Sequence, residues 1–517
     1  MKNRWLKVGL SGFFAAIFGV LGVFSFAPFY IFPLAIVAIA GLLALILNKT
    51  AKMAGFLGFM FGLGFFGAGV YWVFISVHSY GEVPAALAGL VTTGLIAILA
   101  LFPASACYAS NRYFPNTTRR KLIFAFPAMW LISEWVRSWV ACGFTWLFLG
   151  YSQTNSPLKG FAAILSVYGV SLAVLMSSGF IISAIKAYRQ KLFKELLQDL
   201  IYLACIWLGG ALLSLIPWTV PEGKPLNVTL VQGNIPQSIK WSREYLDLSY
   251  KRYVELSLHA WGRSDLIIWP ESAIPNELQD SAWFIDHIDK IAKASKTNIL
   301  LGIPVKAGKD SYYNAAITLG QTQDFYFKRR LVPFGEYVPF QWISEKILNF
   351  MNVPMSNMVP GSYKQHGVRL GNINVDTSIC FEITFPELIH TYDRSVGMLV
   401  TITNDAWFND SIAAAQHIQM AQMRAMELGR PVLFVSNDGI TAIIGSHGEI
   451  EAEAPTHEAF TLNGTVQPMI GATPWMVNFM DPLLVIVILF IYLSRRELKK
   501  SPLKSGAKMA IQQTLSK

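Results

Sequence analysis

The sequence predicts two unlike parts: a polytopic α-helical membrane domain of about eight transmembrane helices, and an α/β domain placed before the last of them. Three observations carry this. Of 517 residues, 53% are hydrophobic and only 14% charged, too apolar a balance for an ordinary soluble protein. The apolar residues run in near-continuous blocks up to about residue 218 and again near the end, whereas the stretch between has charges, short β-branched runs and helical periods. Lys and Arg gather in every second gap between the apolar blocks.

A membrane span needs roughly 20 apolar residues. Seven candidates precede the α/β region, at about 8–26, 31–47, 53–77, 84–109, 122–140, 161–185 and 197–217, and an eighth follows at about 472–493. The first has Lys2, Arg4 and Lys7 before it, as a secretory signal would, but its apolar run is long and further spans follow directly, so it is expected to be retained. Basic residues occupy the N-terminus, the second gap (Lys49, Lys52), the fourth (Arg112, Arg119, Arg120, Lys121), the sixth (Lys186, Arg189, Lys191, Lys194) and the tail from Arg495 onward. The odd gaps carry almost none, Lys159 being the exception. The positive-inside rule then puts both termini in the cytoplasm and the large α/β region outside it. The formal charge of +10 is explained by these gaps rather than by a nucleic-acid-binding face. Glu134 and Arg137 interrupt the fifth span on one helical face and read either as a structural pair or as part of a lipid-facing cleft.

The predicted organisation is a membrane domain at 1–218, a linker at 219–226, an extracytoplasmic catalytic domain at 227–467, the eighth helix at 472–494 and a basic tail at 495–517. Within 227–467, strand-like runs such as "NVTLVQ", "LIIW", "NILLGI", "INVDTSIC", "MLVTIT" and "VLFVS" alternate with helical runs, an α/β layer pattern. No GxGxxG opens a helix and no GxxxxGK[ST] occurs, so nucleotide binding is not indicated. Four cysteines, none in a CxxC pair, give no expectation of zinc or of a redox dithiol.

The chemistry lies at strand ends. "DLIIWPES" delivers Glu271, "FYFKRRLVPFGEYVP" delivers Lys328 and then Glu336, and "DTSICFE" delivers Cys380. A thiol, a carboxylate and an amine form an acyl-transfer set: the thiolate attacks a carbonyl, the carboxylate takes its proton, and the ammonium stabilises the negative charge that develops. His417 precedes a helical run and reads as a packed, hydrogen-bonded histidine rather than a base, since the carboxylate and amine already supply that chemistry.

"WPES", "KRRLVPFGEYVP" and "ICFE", in this order, resemble the nitrilase superfamily. The flanking words "LVQGNIPQSIKW", "TNDAWF", "QHIQMAQMRAMELGRPVLFVSNDGITAIIG", "CGFTWLFLGYSQTNSPLKG" and "VYGVSL" resemble, over essentially the whole chain, the apolipoprotein N-acyltransferase family within it. The resemblance implies a nitrilase-like αββα sandwich, with Glu271 as general base, Lys328 as oxyanion-stabilising cation and Cys380 as nucleophile. It further implies supporting or substrate-binding roles for Glu336, Glu382, Asn314 and Trp241, and neither metal nor other cofactor. Where the family often has Tyr directly after the nucleophile this chain has Phe381, so only a backbone N–H is left there for an oxyanion hole.

The implied reaction is ping-pong transfer of an acyl chain from a membrane phospholipid, through a Cys380 thioester, to the α-amine of a diacylglyceryl-cysteine at a lipoprotein N-terminus, on the outer side of a bacterial inner membrane. A membrane-anchored amidase or nitrilase with the same triad is the alternative, and a transporter or receptor with a sensor domain is disfavoured because it needs no such triad. The segment "FQWISEKILNFMNVPMSNMVPG", with Trp342, Ile343, Phe350, Met351, Met355 and Met358, is expected to be an arm or lid that dips toward lipid, or else a helix packed on the domain core.

Overall fold

The computed structural model describes residues 2–116, 118–337, 357–390 and 393–498. The lid segment, apart from Asn357 to Gly361, and nearly all of the basic tail lie outside the described residues.

The region 226–466 folds as two six-stranded sheets stacked face to face. One has the strand order Phe460–Val466, Leu226–Gln232, Leu266–Ile268, Asn298–Lys306, Tyr312–Leu319, Asp324–Phe327. The other runs Ile450–Glu453, Ala442–Ile444, Val432–Ser436, Val396–Thr403, Ile373–Ile379, Val368–Leu370. Side chains alternate across each strand with a period of two, which sorts them into separate cores. Leu230, Ile268 and Leu300 meet Val400, Ile402, Leu433 and Val435 between the sheets. Their neighbours Val231, Ile267, Ile299 and Leu301 face outward against Tyr253, Phe284 and Ile288 of the helices Leu246–Ser257 and Ala282–Ser295. On the opposite flank Leu399, Val432 and Phe434 pack on Ile418, Ala421 and Ala425 of the helix Ala413–Leu428. This is the αββα layering that the resemblance implied. Continuous apolar strands are the consequence of burial on both faces.

Outside the sandwich the described residues are mostly helical, with one small sheet in which Thr219–Pro221 pairs with Met469–Gly471. Among the described residues five segments are long and apolar enough to cross a membrane: Leu6–Val23, Ala51–Gly69, Ala85–Tyr113, Pro157–Arg189 and Phe193–Leu213. The other three expected spans are helical as well. Pro33–Ile46 and Phe126–Trp139 have 14 residues each, about 21 Å at 1.5 Å per residue. Asp481–Leu498 reaches 18 residues but carries Asp481, Arg495, Arg496 and Glu497. Small residues allow close helix contact: a Cβ on Gly62 would lie 2.6 Å from Ala100 Cα, so the helices Ala51–Gly69 and Ala85–Tyr113 approach backbone to backbone.

Glu134 and Arg137 are both buried, and each holds backbone of one turn. Glu134 Oε1 accepts from Leu149 N at 2.9 Å and Trp130 Nε1 at 3.2 Å, while Arg137 Nη1 donates to Trp146 O at 2.7 Å. The pair is thus a brace for residues 146–149.

The sandwich docks on the helices through a broken helix. Ala162–Arg189 loses helical geometry at Leu165 and Ser166, where Ser166 has φ 58°. The freed amine end is capped from the other domain: Glu427 Oε1 accepts from Ser166 Oγ at 2.6 Å and Val167 N at 2.7 Å. A carboxylate at a helix N-terminus satisfies orphan N–H groups and complements the dipole. Arg424 neutralises it at 2.8 Å, both side chains being buried. Glu427→Ala leaves that guanidinium unpaired, at a cost of about 3–5 kcal/mol. The expected outcome is a lowered Tm in detergent; an unchanged Tm would rule out this cap as the docking contact.

Candidate active site

Three strand ends converge where the two sheets meet. Leu266–Ile268 runs into Glu271, Asp324–Phe327 into Lys328, and Ile373–Ile379 into Cys380. Lys328 is the hub. Its Nζ lies 3.3 Å from Glu271 Oε1 and 2.9 Å from Glu336 Oε1, with only 1% of its side chain exposed. Asn314 Nδ2 donates to the same two oxygens, at 2.7 and 2.8 Å, and its carbonyl accepts from Lys328 N at 2.8 Å. Glu336 Oε2 accepts from Val332 N at 2.8 Å, which closes the loop around its own carboxylate. Burial alone would lower the Lys328 pKa, but Glu271 and Glu336 outweigh it and hold the amine above its ordinary range. It is therefore a fixed cation, suited to stabilising an oxyanion rather than to exchanging protons.

Cys380 is half-buried and sits in the left-handed region at φ 53°. The corner turns the chain out of its strand and straight into the short helical turn Cys380–Thr384. Burial pushes the thiol above its ordinary range, the charge of Glu271 pushes it further, and Lys328 only partly offsets them. The resting group is a thiol, which makes a neighbouring base necessary.

Glu382 ties the strand that ends at Cys380 to the loop that carries Lys328. Its Oε1 accepts from Arg329 N at 2.7 Å and Arg330 N at 3.1 Å; its Oε2 accepts from Ile379 N and from Tyr326 OH, each at 2.8 Å. Burial raises its pKa, and Arg329 opposes that rise. Phe381 has no polar tip and packs instead: its ring lies 6.3 Å from Trp146, nearly parallel at 17°, and 4.8 Å from Phe385 at 88°.

Six of the eight residues singled out from sequence, Glu271, Lys328, Cys380, Glu336, Glu382 and Asn314, thus meet in one place. Phe381 borders it. Trp241 is half-buried after the turn Gln237–Lys240, with no hydrogen bond or ring contact to the others among the described residues.

Its neighbour Lys240 was missed by the sequence reading. Lys240 is 0% exposed and its Nζ donates to the backbone carbonyl of Glu271 at 3.1 Å. Burial lowers its pKa to about 8, with Glu271 opposing. The only signal was its place in "IPQSIKW", a cation next to a residue already singled out. A second support for the Glu271 corner is Gly302, where a Cβ would lie 2.5 Å from Pro270 O and 2.7 Å from Glu271 Cα.

A buried carboxylate–lysine–thiol set at converging strand ends of an αββα sandwich defines a carbon–nitrogen hydrolase-type catalytic domain, and the family description "Carbon-nitrogen hydrolase" matches residues 227–474. The helical part narrows this, because "Apolipoprotein N-acyltransferase N-terminal domain" matches residues 18–180. Three proteins named apolipoprotein N-acyltransferase are similar over nearly their whole length. That of Coxiella burnetii is 38% identical, covering 93% of this chain and 99% of its own. That of Methylococcus capsulatus is 38% identical (88% and 90%), and that of Vibrio cholerae 35% identical (91% and 94%). The chain belongs to the apolipoprotein N-acyltransferase family, an acyltransferase family of bacterial membrane proteins.

The raised thiol has a measurable consequence. Iodoacetamide labelling of Cys380 in the free enzyme, read by peptide mass, is expected to rise about tenfold per pH unit from about pH 7 to 9 without levelling. Glu271→Gln removes an adjacent negative charge, lowers the thiol pKa and speeds labelling. A plateau near neutrality would show instead a preformed thiolate.

Proposed function

We propose that the protein transfers an acyl chain from a membrane phospholipid to the α-amine of an N-terminal diacylglyceryl-cysteine on lipoproteins, through a thioester on Cys380. The observation that carries this reading is the buried Lys328–Glu271–Glu336 cluster beside Cys380 in a domain docked on apolar helices. In the first half-reaction Glu271 takes the Cys380 proton as Sγ attacks the ester carbon. The C–S bond forms, the C–O bond breaks, and the proton passes to the departing lysophospholipid oxygen. In the second, the lipoprotein amine attacks the thioester. The C–N bond forms, the C–S bond breaks, and Glu271 relays the amine proton to the sulfur. Lys328 stabilises the oxyanion in both.

The basic gaps support an inner-membrane location with both termini cytoplasmic and the sandwich on the periplasmic side. Both substrates carry acyl chains whose withdrawal into water costs about 0.8 kcal/mol per CH₂. It is therefore cheaper to hold the site at the bilayer. The test is intact mass after incubation with phospholipid. An acyl-sized adduct maps to Cys380, is discharged by a diacylglyceryl peptide with acylation of its amine, and is absent in Cys380→Ala. Release of free fatty acid or ammonia alone would favour the amidase reading.

The arm at 340–361 remains a proposal for covering the acyl chain. Its end is tied to the site: Met358 is buried and its N–H donates to Glu336 O at 2.9 Å. The deletion that tests it must therefore spare Met358. Removing 350–356 is expected to raise the KM for phospholipid while leaving Cys380 labelling intact; unchanged lipid kinetics would exclude a covering role.

A further inference from the structure

His417 lies outside the Glu–Lys–Cys set, yet it touches the nucleophile's own backbone. It is 0% exposed, on the helix Ala413–Leu428, with its ring 5.5 Å from Trp146 and edge-on to Phe434 at 5.1 Å. Both ring nitrogens face oxygens. Nδ1 is 3.0 Å from Asp405 Oδ1, and Nε2 is 3.2 Å from the backbone carbonyl of Cys380. A carbonyl can only accept, so Nε2 carries a hydrogen. The Asp405 carboxyl at Nδ1 fixes the orientation of the ring.

Asp405 is itself fixed. It is buried, its Oδ1 accepts from Thr403 Oγ1 at 2.9 Å, and its N–H donates to Ser436 Oγ at 3.2 Å. Thr403 ends the strand parallel to the one that ends at Cys380. Two neighbouring strand ends are thereby bridged through Thr403, Asp405 and His417.

The bridged atom belongs to a strained residue. Cys380 has a Cβ and holds φ 53°, a conformation that is unfavourable for a residue with a Cβ and persists only when its surroundings impose it. We propose that His417, held by Asp405, is the positioning residue that imposes it: the N–H on the Cys380 carbonyl locks the left-handed corner from which the sulfur meets Glu271 and Lys328. This rests on Cys380 being the nucleophile.

The test compares two amides in the full-length enzyme in detergent with phospholipid. In His417→Gln the amide reaches the Nε2 position and can still donate to Cys380 O. In His417→Asn it reaches only the Nδ1 position. The expected result is a loss of Cys380 acylation kcat of about 100-fold for His417→Asn, with KM little changed, and recovery of at least about tenfold for His417→Gln. In a parallel pair, Asp405→Asn can donate to Nδ1, which leaves Nε2–H on the carbonyl, and is expected to exceed Asp405→Ala in kcat. Gln equal to or below Asn, wild-type kcat in both, or a loss confined to KM would overturn the proposal. If the variants acylate Cys380 at the wild-type rate, the positioning role fails while the thioester reading stands. If Cys380→Ala still acquires the acyl adduct, that reading fails first.

Discussion

The site depends on one buried cation. Removing an ammonium from water costs several kcal/mol even after relaxation, and that cost is met only by close, well-hydrogen-bonded anions. Lys328 has two, Glu271 and Glu336, with Asn314 donating to the same carboxylate oxygens. Two carboxylates on one amine leave an excess negative charge. Lys240, also without solvent and hydrogen-bonded to the Glu271 backbone, supplies the balancing cation. The two glutamates differ in their partners: Glu336 Oε2 also accepts from Val332 N, whereas among the described residues no backbone N–H donates to the Glu271 carboxylate, a difference that fits the base role proposed for Glu271.

A second constraint makes the first useful. The lysine is delivered by one sheet and the cysteine by the other, so their separation depends on how the sheets are joined at this end. Glu382 joins them. Its four hydrogen bonds all come to one carboxylate, three from backbone N–H groups at 329, 330 and 379 and one from Tyr326 OH. An amide at this position would have to point an NH₂ at backbone donors, leaving them unpaired at a cost of about 1–3 kcal/mol. The charge is needed for its capacity to accept, not for catalysis.

How much of this was legible in the sequence follows from the range of the interactions. The α/β layer pattern and the three strand-end residues were readable because runs of buried strand residues and strand termination are local properties, whereas the αββα sandwich came from the resemblance. Glu336 was singled out beside Lys328, but its supporting role, like those of Glu382 and Asn314, came only from the resemblance, since their partners lie 22, 56 and 43 residues away in sequence. Lys240 was passed over because a lone lysine in a polar loop gives no sign that it will be buried. His417 was rightly read as packed and hydrogen-bonded, but that its partner is the Cys380 carbonyl, 37 residues away, is a property of the folded chain alone. The helical part was legible as apolar blocks, but hydropathy could not show that Glu134 and Arg137 brace the turn 146–149 instead of pairing with each other.

That turn shows why the two parts form one machine. Residues of the helical domain touch the nucleophile corner directly. Thr145 Oγ1 donates to Thr384 Oγ1 at 2.8 Å, Tyr151 OH to Thr384 O at 2.9 Å, and Trp146 lies against both Phe381 and His417. Arg330, two residues after Lys328, reaches the carbonyls of Ser138 and Cys142. The turn 380–384 is therefore shaped from below by the membrane part and from above by the sandwich. Phe381 packs its ring against Trp146, so the helical part borders the turn that carries the thiol. Excising the sandwich would remove one wall of its own active site.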